Sequence, residues 1–143
     1  MNAFIVDSSV VAKWLPPVNN ELFASEARSL LVDWTKGRIE LFVPDLLLAE
    51  VANVLWKAAR VGRCGAPQAR SALNILISYD LPVVPSVTLL DLALRIAVQH
   101  KRTVYDSIYI ALAVQSGKPL VTTDEKLANA LAAYFLVKWI GSI

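Results

Sequence analysis

Short apolar strands alternating with helical segments predict an α/β chain, a three-layer α/β/α sandwich around a mostly parallel central sheet of about five strands. Three observations carry this. The runs AFIVD, IELFV, LPVVPS, PLVTT and FLVKWI are brief and apolar, and most are rich in β-branched or aromatic residues. Segments with helical spacing of apolar residues separate them. The 143 residues, 56% hydrophobic, are enough for one well-filled core and too few for two, so one domain is expected over residues 1–143.

Each element follows in order. Residues 3–7 form a strand ending in Asp7, and SSVVAKWL a short helix that Pro16-Pro17 and Asn19-Asn20 interrupt. From Glu21 to Lys36, Leu22, Phe23, Ala27, Leu30, Leu31 and Trp34 recur at helical spacing until Gly37. A strand at 39–43 leads through Pro44-Asp45 into a helix reaching about Val61. Gly62 and Gly65 bracket a loop, and Ala66-Pro67 begins a helix through Tyr79. A strand at 81–86 precedes helices at 87–101 and 105–116. A strand at 119–123, the helix EKLANALAA and a strand at 135–140 complete the order.

Composition narrows the class. No stretch approaches the roughly 20 apolar residues of a membrane span, and MNAFIVDSS lacks the features of a secretory signal. A soluble cytoplasmic protein with no membrane partner is expected. Cys64 is the only cysteine, which excludes an internal disulfide and a cysteine-based zinc site. His100, also alone, reads as a helix-terminal residue. Net charge is only +2, yet sequestering four of the twelve acids would leave 14 Lys and Arg facing eight. Such a surface suits an anionic partner such as nucleic acid.

Those four acids are Asp7, Glu50, Asp106 and Asp124, embedded in FIVD, LLLAEVANVL, VYDSIYIALA and LVTTDEKL. Asp7 and Asp124 end strands, and parallel sheets build sites at the carboxyl ends of their strands. Capping offers a plainer account of three: Asp7 as an N-cap, and Thr103–Asp106 and Thr122–Glu125 at capping-box spacing. Glu50, inside an apolar helix, has no such duty, and its plain alternative is a place on a solvated face. Gathering like charges in an apolar scaffold is costly without cations, so the set points to a divalent metal site. Oxygen-only ligands favour Mg²⁺ or Mn²⁺, and such ions activate water for attack at phosphorus.

In these four segments the chain resembles the PIN-domain nucleases, most closely the VapC-type toxins of toxin–antitoxin modules. IVDSSVVAKW, LLLAEVANVL, VYDSIYIALA and LVTTDEKLA occur in the family's order, and the resemblance spans essentially the whole chain. It implies that Asp7, Glu50, Asp106 and Asp124 are the metal-binding, catalytic acids, with the hydroxyls of Ser9 and Thr122 lining their pocket; capping a helix or strand end is the other role open to these two hydroxyls. It further implies cleavage of RNA to 5′-phosphate and 3′-hydroxyl ends, and a homodimer silenced by a small antitoxin whose tail lies near the acids. Glu125-Lys126-Leu127 departs from relatives carrying a further acid or aromatic there, which points to a weakly held second ion.

Lys13, Lys57, Arg60, Arg63, Arg102 and Lys126 are the candidate RNA-binding residues, on the strength of their places near the acidic motifs. Four tryptophans, Trp14, Trp34, Trp56 and Trp139, and helices such as LLDLALRIAV supply more apolar surface than one small core needs, which favours an interface. Rival readings fare worse. A haloacid-dehalogenase-type phosphatase needs an Asp where Ser9 stands, a receiver domain needs an early acidic pair, and a dinucleotide-binding fold needs glycines absent from SSVVAKW. The remaining alternative is a catalytically silent module of the same fold that binds RNA or protein.

Overall fold

The computed structural model describes residues 2–143. Five parallel strands lie in the order β3-β2-β1-β4-β5, with β1 (Asn2–Val6) central, β2 (Ile39–Pro44) and β3 (Val83–Val84) on one side, and β4 (Leu120–Thr122) and β5 (Val137–Trp139) on the other. Residues from both faces of the strands are buried: Ile5 and Val6 of β1, for example, are inaccessible although they point opposite ways. This is the burial of a sheet covered on both sides, which matches the expected sandwich.

The helices are α1 (Ser8–Ala12), α2 (Ala24–Thr35), α3 (Leu46–Arg60), α4 (Ala66–Ser78), α5 (Leu90–His100), α6 (Val104–Ser116) and α7 (Glu125–Leu131). Helix α6 is buried without a break from Ser107 to Ala113 and packs against β1, β2 and β4. Its sequence, apolar on every side, is that of a helix enclosed by its neighbours. Thr103 caps its first turn, and Gly117, at φ 67°, turns the chain out through the left-handed region that glycine tolerates.

Several boundaries differ from the sequence expectation, each for a local reason. Helix α2 starts at Ala24, three residues late, because Phe23 adopts a left-handed φ of 68° and Glu21 ends a 3₁₀ turn over Val18–Asn20. Strand β3 shrinks to two residues between Pro82 and Pro85, neither of which can donate to a ladder. The segment expected to open α5 is a separate 3₁₀ turn, Ser86–Leu89. The N-cap of α7 is Asp124, so the Thr122–Glu125 spacing marks no capping box. His100 does end α5, and its ring packs against Tyr134 and Phe135, each centroid 5.0 Å away.

Candidate active site

The sheet order reverses beside β1: the chain runs outward through β2 and β3, then returns to β4 on the opposite side. The carboxyl ends of β1 and β4 therefore flank the switch point at which open parallel sheets place their ligands. Asp7 directly follows β1 and Asp124 stands two residues beyond β4. Helix α3 contributes Glu50 from its second turn and α6 contributes Asp106 from its first.

Asp7 has a local duty as well as a place at this edge. Its Oδ1 caps α1, accepting from the backbone N–H of Ser9 at 3.1 Å and of Val10 at 3.3 Å, and from the Ser9 hydroxyl. Ser9 Oγ in turn accepts from the Thr123 N–H at 3.2 Å, tying α1 to the end of β4. Burial pushes the Asp7 carboxyl up to about 6, against the pull of the Ser9 and Thr122 hydroxyls and the capping N–H groups. Thr122 is wholly buried, and its Oγ1 accepts from the Asp124 N–H at 3.0 Å. Asp124 Oδ1 accepts from the Leu127 N–H at 3.0 Å, and its residue is exposed.

Glu50 is raised by burial first, with the Asp106 charge adding to it and the hydrogen bond from Tyr109 and the nearby Ser8 hydroxyl opposing. Asp106, exposed as a residue, is raised by packing around its carboxyl, with Arg102 opposing and Asp124 adding. Charge thus links Glu50 to Asp106 and Asp106 to Asp124. A fifth acid at the same edge shows the contrast. Asp45, after β2, accepts from the Ser86 hydroxyl and from its N–H at 3.1 Å, and those bonds hold its carboxyl below the usual range. Asp45 is a structural brace, whereas Asp7, Glu50 and Asp106 are held at an electrostatic cost, the pattern of functional carboxylates.

Among the described residues, no three Asp, Glu, His or Cys side chains already form a group that could hold a metal. The donor set nevertheless fits a hard divalent cation: carboxylate oxygens from four elements, two repelling pairs, and Arg102 as the cation acting on Asp106. Beside the acids, a groove of about 380 Å³ is lined by Ser8, Leu46, Glu50, Asn53 and Tyr105, among others.

The basic candidates divide. Lys13 pairs with Glu21 at 3.5 Å, and Arg63 pairs with the same carboxylate and reaches Pro17 O at 3.3 Å. Both brace the loop before α2. Lys57, Arg60 and Lys126 are exposed, with Arg60 lying over the Trp56 ring at 5.0 Å. Two residues at the site escaped sequence reasoning. The hydroxyl of Tyr109, a residue only 4% exposed, donates to Glu50 Oε1 at 2.5 Å, and Ser8 lines the groove beside Glu50. A tyrosine in a helix apolar on every side was the available signal, since a buried phenol needs an acceptor.

A twisted parallel sheet enclosed by helices, with acids gathered at its switch point, defines a class of α/β sandwich built around an acidic carboxyl edge. The chain belongs to the PIN domain family, whose model matches residues 4–131. It is 35% identical over 132 residues to ribonuclease VapC3 of Pyrobaculum aerophilum, covering 90% of this chain and 95% of that protein. It is 39% identical over 95 residues to exonuclease VapC9 of the same organism, covering 66% and 69%. Among solved structures, PAE2754 from Pyrobaculum aerophilum superposes with a TM-score of 0.68 at 29% identity, over 99% of this chain and 91% of that one. A toxin–antitoxin complex from Klebsiella pneumoniae shares the fold, with a TM-score of 0.63 at 13% identity over 94% of each chain.

Proposed function

We propose that this chain is a divalent-metal-dependent endoribonuclease and the toxin of a toxin–antitoxin pair. The observation that carries the reading is the set of acids at the switch point: Asp7 and Asp124 follow β1 and β4, Glu50 and Asp106 come from α3 and α6, and burial raises the carboxyls of Asp7, Glu50 and Asp106. Asp7, Glu50, Asp106 and Asp124 would hold Mg²⁺ or Mn²⁺. When bound, the ion polarises a phosphoryl oxygen and acidifies water at the site. The protein's own part is orientation. Capping N–H groups aim Asp7, the Tyr109 hydroxyl restrains Glu50, and the Ser9 and Thr122 hydroxyls close the floor between β1 and β4. RNA enters along the groove beside Glu50, its phosphates met by Arg102, Lys57, Arg60 and Lys126. Lys13 and Arg63 serve the scaffold through Glu21.

The names of the relatives support nuclease activity, and they differ on mode, one being called an exonuclease and one a ribonuclease. A covalently closed single-stranded RNA separates the two, because it has no end to digest. Cleavage of the circle with Mg²⁺, abolished by EDTA, is expected. A circle left intact while linear RNA is degraded from its ends would make this an exonuclease, and inertness towards both would favour a silent binding module.

The partners follow from surface chemistry. Trp14 is buried, and Trp34 and Trp139 pack against the core, so the core absorbs three of the four tryptophans expected to mark an interface. The fourth, Trp56, is exposed on α3, and a further exposed apolar row lies on α5 and the turn before it, where Val87, Leu90, Leu94 and Val98 are exposed at 72, 44, 56 and 75%. We assign this face to a homodimer. A basic tail from a small antitoxin would occupy the groove beside Glu50 and neutralise the acids as a cation does.

A further inference from the structure

We propose that Tyr109 is the positioning residue that sets the distance between the Glu50 and Asp106 carboxylates. This deepens the metal-site reading and rests on it. Glu50 and Asp106 lie on separate helices, α3 and α6, and their charges repel. Among the described residues, no backbone hydrogen bond joins the second turn of α3 to the first turn of α6. The tie is a side chain: Tyr109 sits one turn beyond Asp106 on α6 and donates its hydroxyl to Glu50 Oε1 at 2.5 Å, across 59 residues of sequence.

Four features make this contact more than the satisfaction of a buried phenol. Its acceptor is one of the repelling acids, so the bond holds Glu50 towards α6 against the Asp106 charge. The tyrosine is itself enclosed, being 4% exposed on a helix buried from Ser107 to Ala113. The bond engages Oε1 alone, and a carboxylate carries a second oxygen for other partners. A phenol donor also retains the ligand's negative charge, whereas an Arg or Lys in the same place would compensate it. Removing the groups that orient a metal ligand lowers affinity by about 10–100-fold.

Tyr109→Phe deletes only the hydroxyl. Mn²⁺ binding to the intact protein, measured by calorimetry, is expected to weaken by about tenfold or more, with kcat for RNA reduced and KM little changed. In a Glu50→Ala background the same substitution should leave Mn²⁺ affinity where it was, because the acceptor is gone. A purely structural hydroxyl predicts the reverse: a lower Tm with unchanged Mn²⁺ affinity, or equal losses with and without Glu50, and either overturns the inference. Should Tyr109→Phe fail to fold, 4-methylphenylalanine fills the volume without the donor, and 4-aminophenylalanine, which can donate, should restore binding. If the parent protein binds no Mn²⁺, the metal-site reading falls and this inference with it. If the parent binds and the donor-free variants bind equally, only the inference falls.

Discussion

Asp7 is asked to do two things that conflict. It caps α1 and it keeps a negative charge in a buried place, and only the first helps the fold. The two can be separated, because Asn caps a helix about as well as Asp while carrying no charge. The sign of the pH effect follows from its raised carboxyl, about 6 against an ordinary 3.8. In that interval the folded protein binds more protons than the unfolded chain, so stability falls as pH rises and the loss is complete above pH 6. Glu50 and Asp106 are raised too and act in the same direction. In EDTA, the parent protein should therefore melt higher at pH 5 than at pH 7. Asp7→Asn should melt above the parent at pH 7, by a few degrees, and converge with it near pH 4. Millimolar Mg²⁺ should reverse the ranking at pH 7, since a ligand specific for the native state adds about 2.7 kcal/mol at a hundred times its Kd. Thermal melts across pH with and without metal check all of this. A parent insensitive to Mg²⁺ would contradict it.

At the scale of elements, each acid depends on the end of a strand or helix, so capping should propagate to the site. The Thr103 hydroxyl accepts from the Asp106 N–H at 3.1 Å at the start of α6. Thr103→Ala should cost about 1 kcal/mol, read as a lower midpoint in urea at an unchanged slope. Much of this layer was legible in the sequence. Asp7 and Asp124 follow apolar β-runs, and Glu50 stands out as a charge in the middle of LLLAEVANVL. The strand and helix order could be read because apolar periodicity is a local property. What escaped was non-local. The Tyr109–Glu50 bond joins residues 59 apart, and the Lys13–Glu21–Arg63 cluster draws two basic candidates into bracing a loop. Phe23 in the left-handed region carried no sequence warning either, because glycine is the residue that usually announces it.

Besides the acidic edge and its groove, the molecule presents an exposed apolar row on α5. No helix among the described residues is long and apolar enough to cross a membrane. If the apolar face joins two copies, Leu94→Glu with Val98→Asp should convert a dimer to a monomer in sedimentation at micromolar concentration, without loss of helix content. A parent that is already monomeric would remove the homodimer and leave the nuclease reading untouched. If a basic antitoxin tail and a cation share the acids, antitoxin affinity should weaken as Mg²⁺ rises, and Glu50→Ala should lower it further. An affinity indifferent to Mg²⁺ places the tail elsewhere.

On the proposed reading, the acids at the switch point act together, through a divalent cation, to cut RNA. The most direct measurement incubates one defined single-stranded RNA with purified parent, Asp7→Asn and Asp106→Asn proteins, each with Mg²⁺, with Mn²⁺ and with EDTA. The expected result is cleavage by the parent in either metal, none in EDTA, and a loss of at least about a hundredfold in both variants, each of which remains folded. Cleavage that persists in EDTA, or full activity in folded Asp106→Asn, would contradict the account.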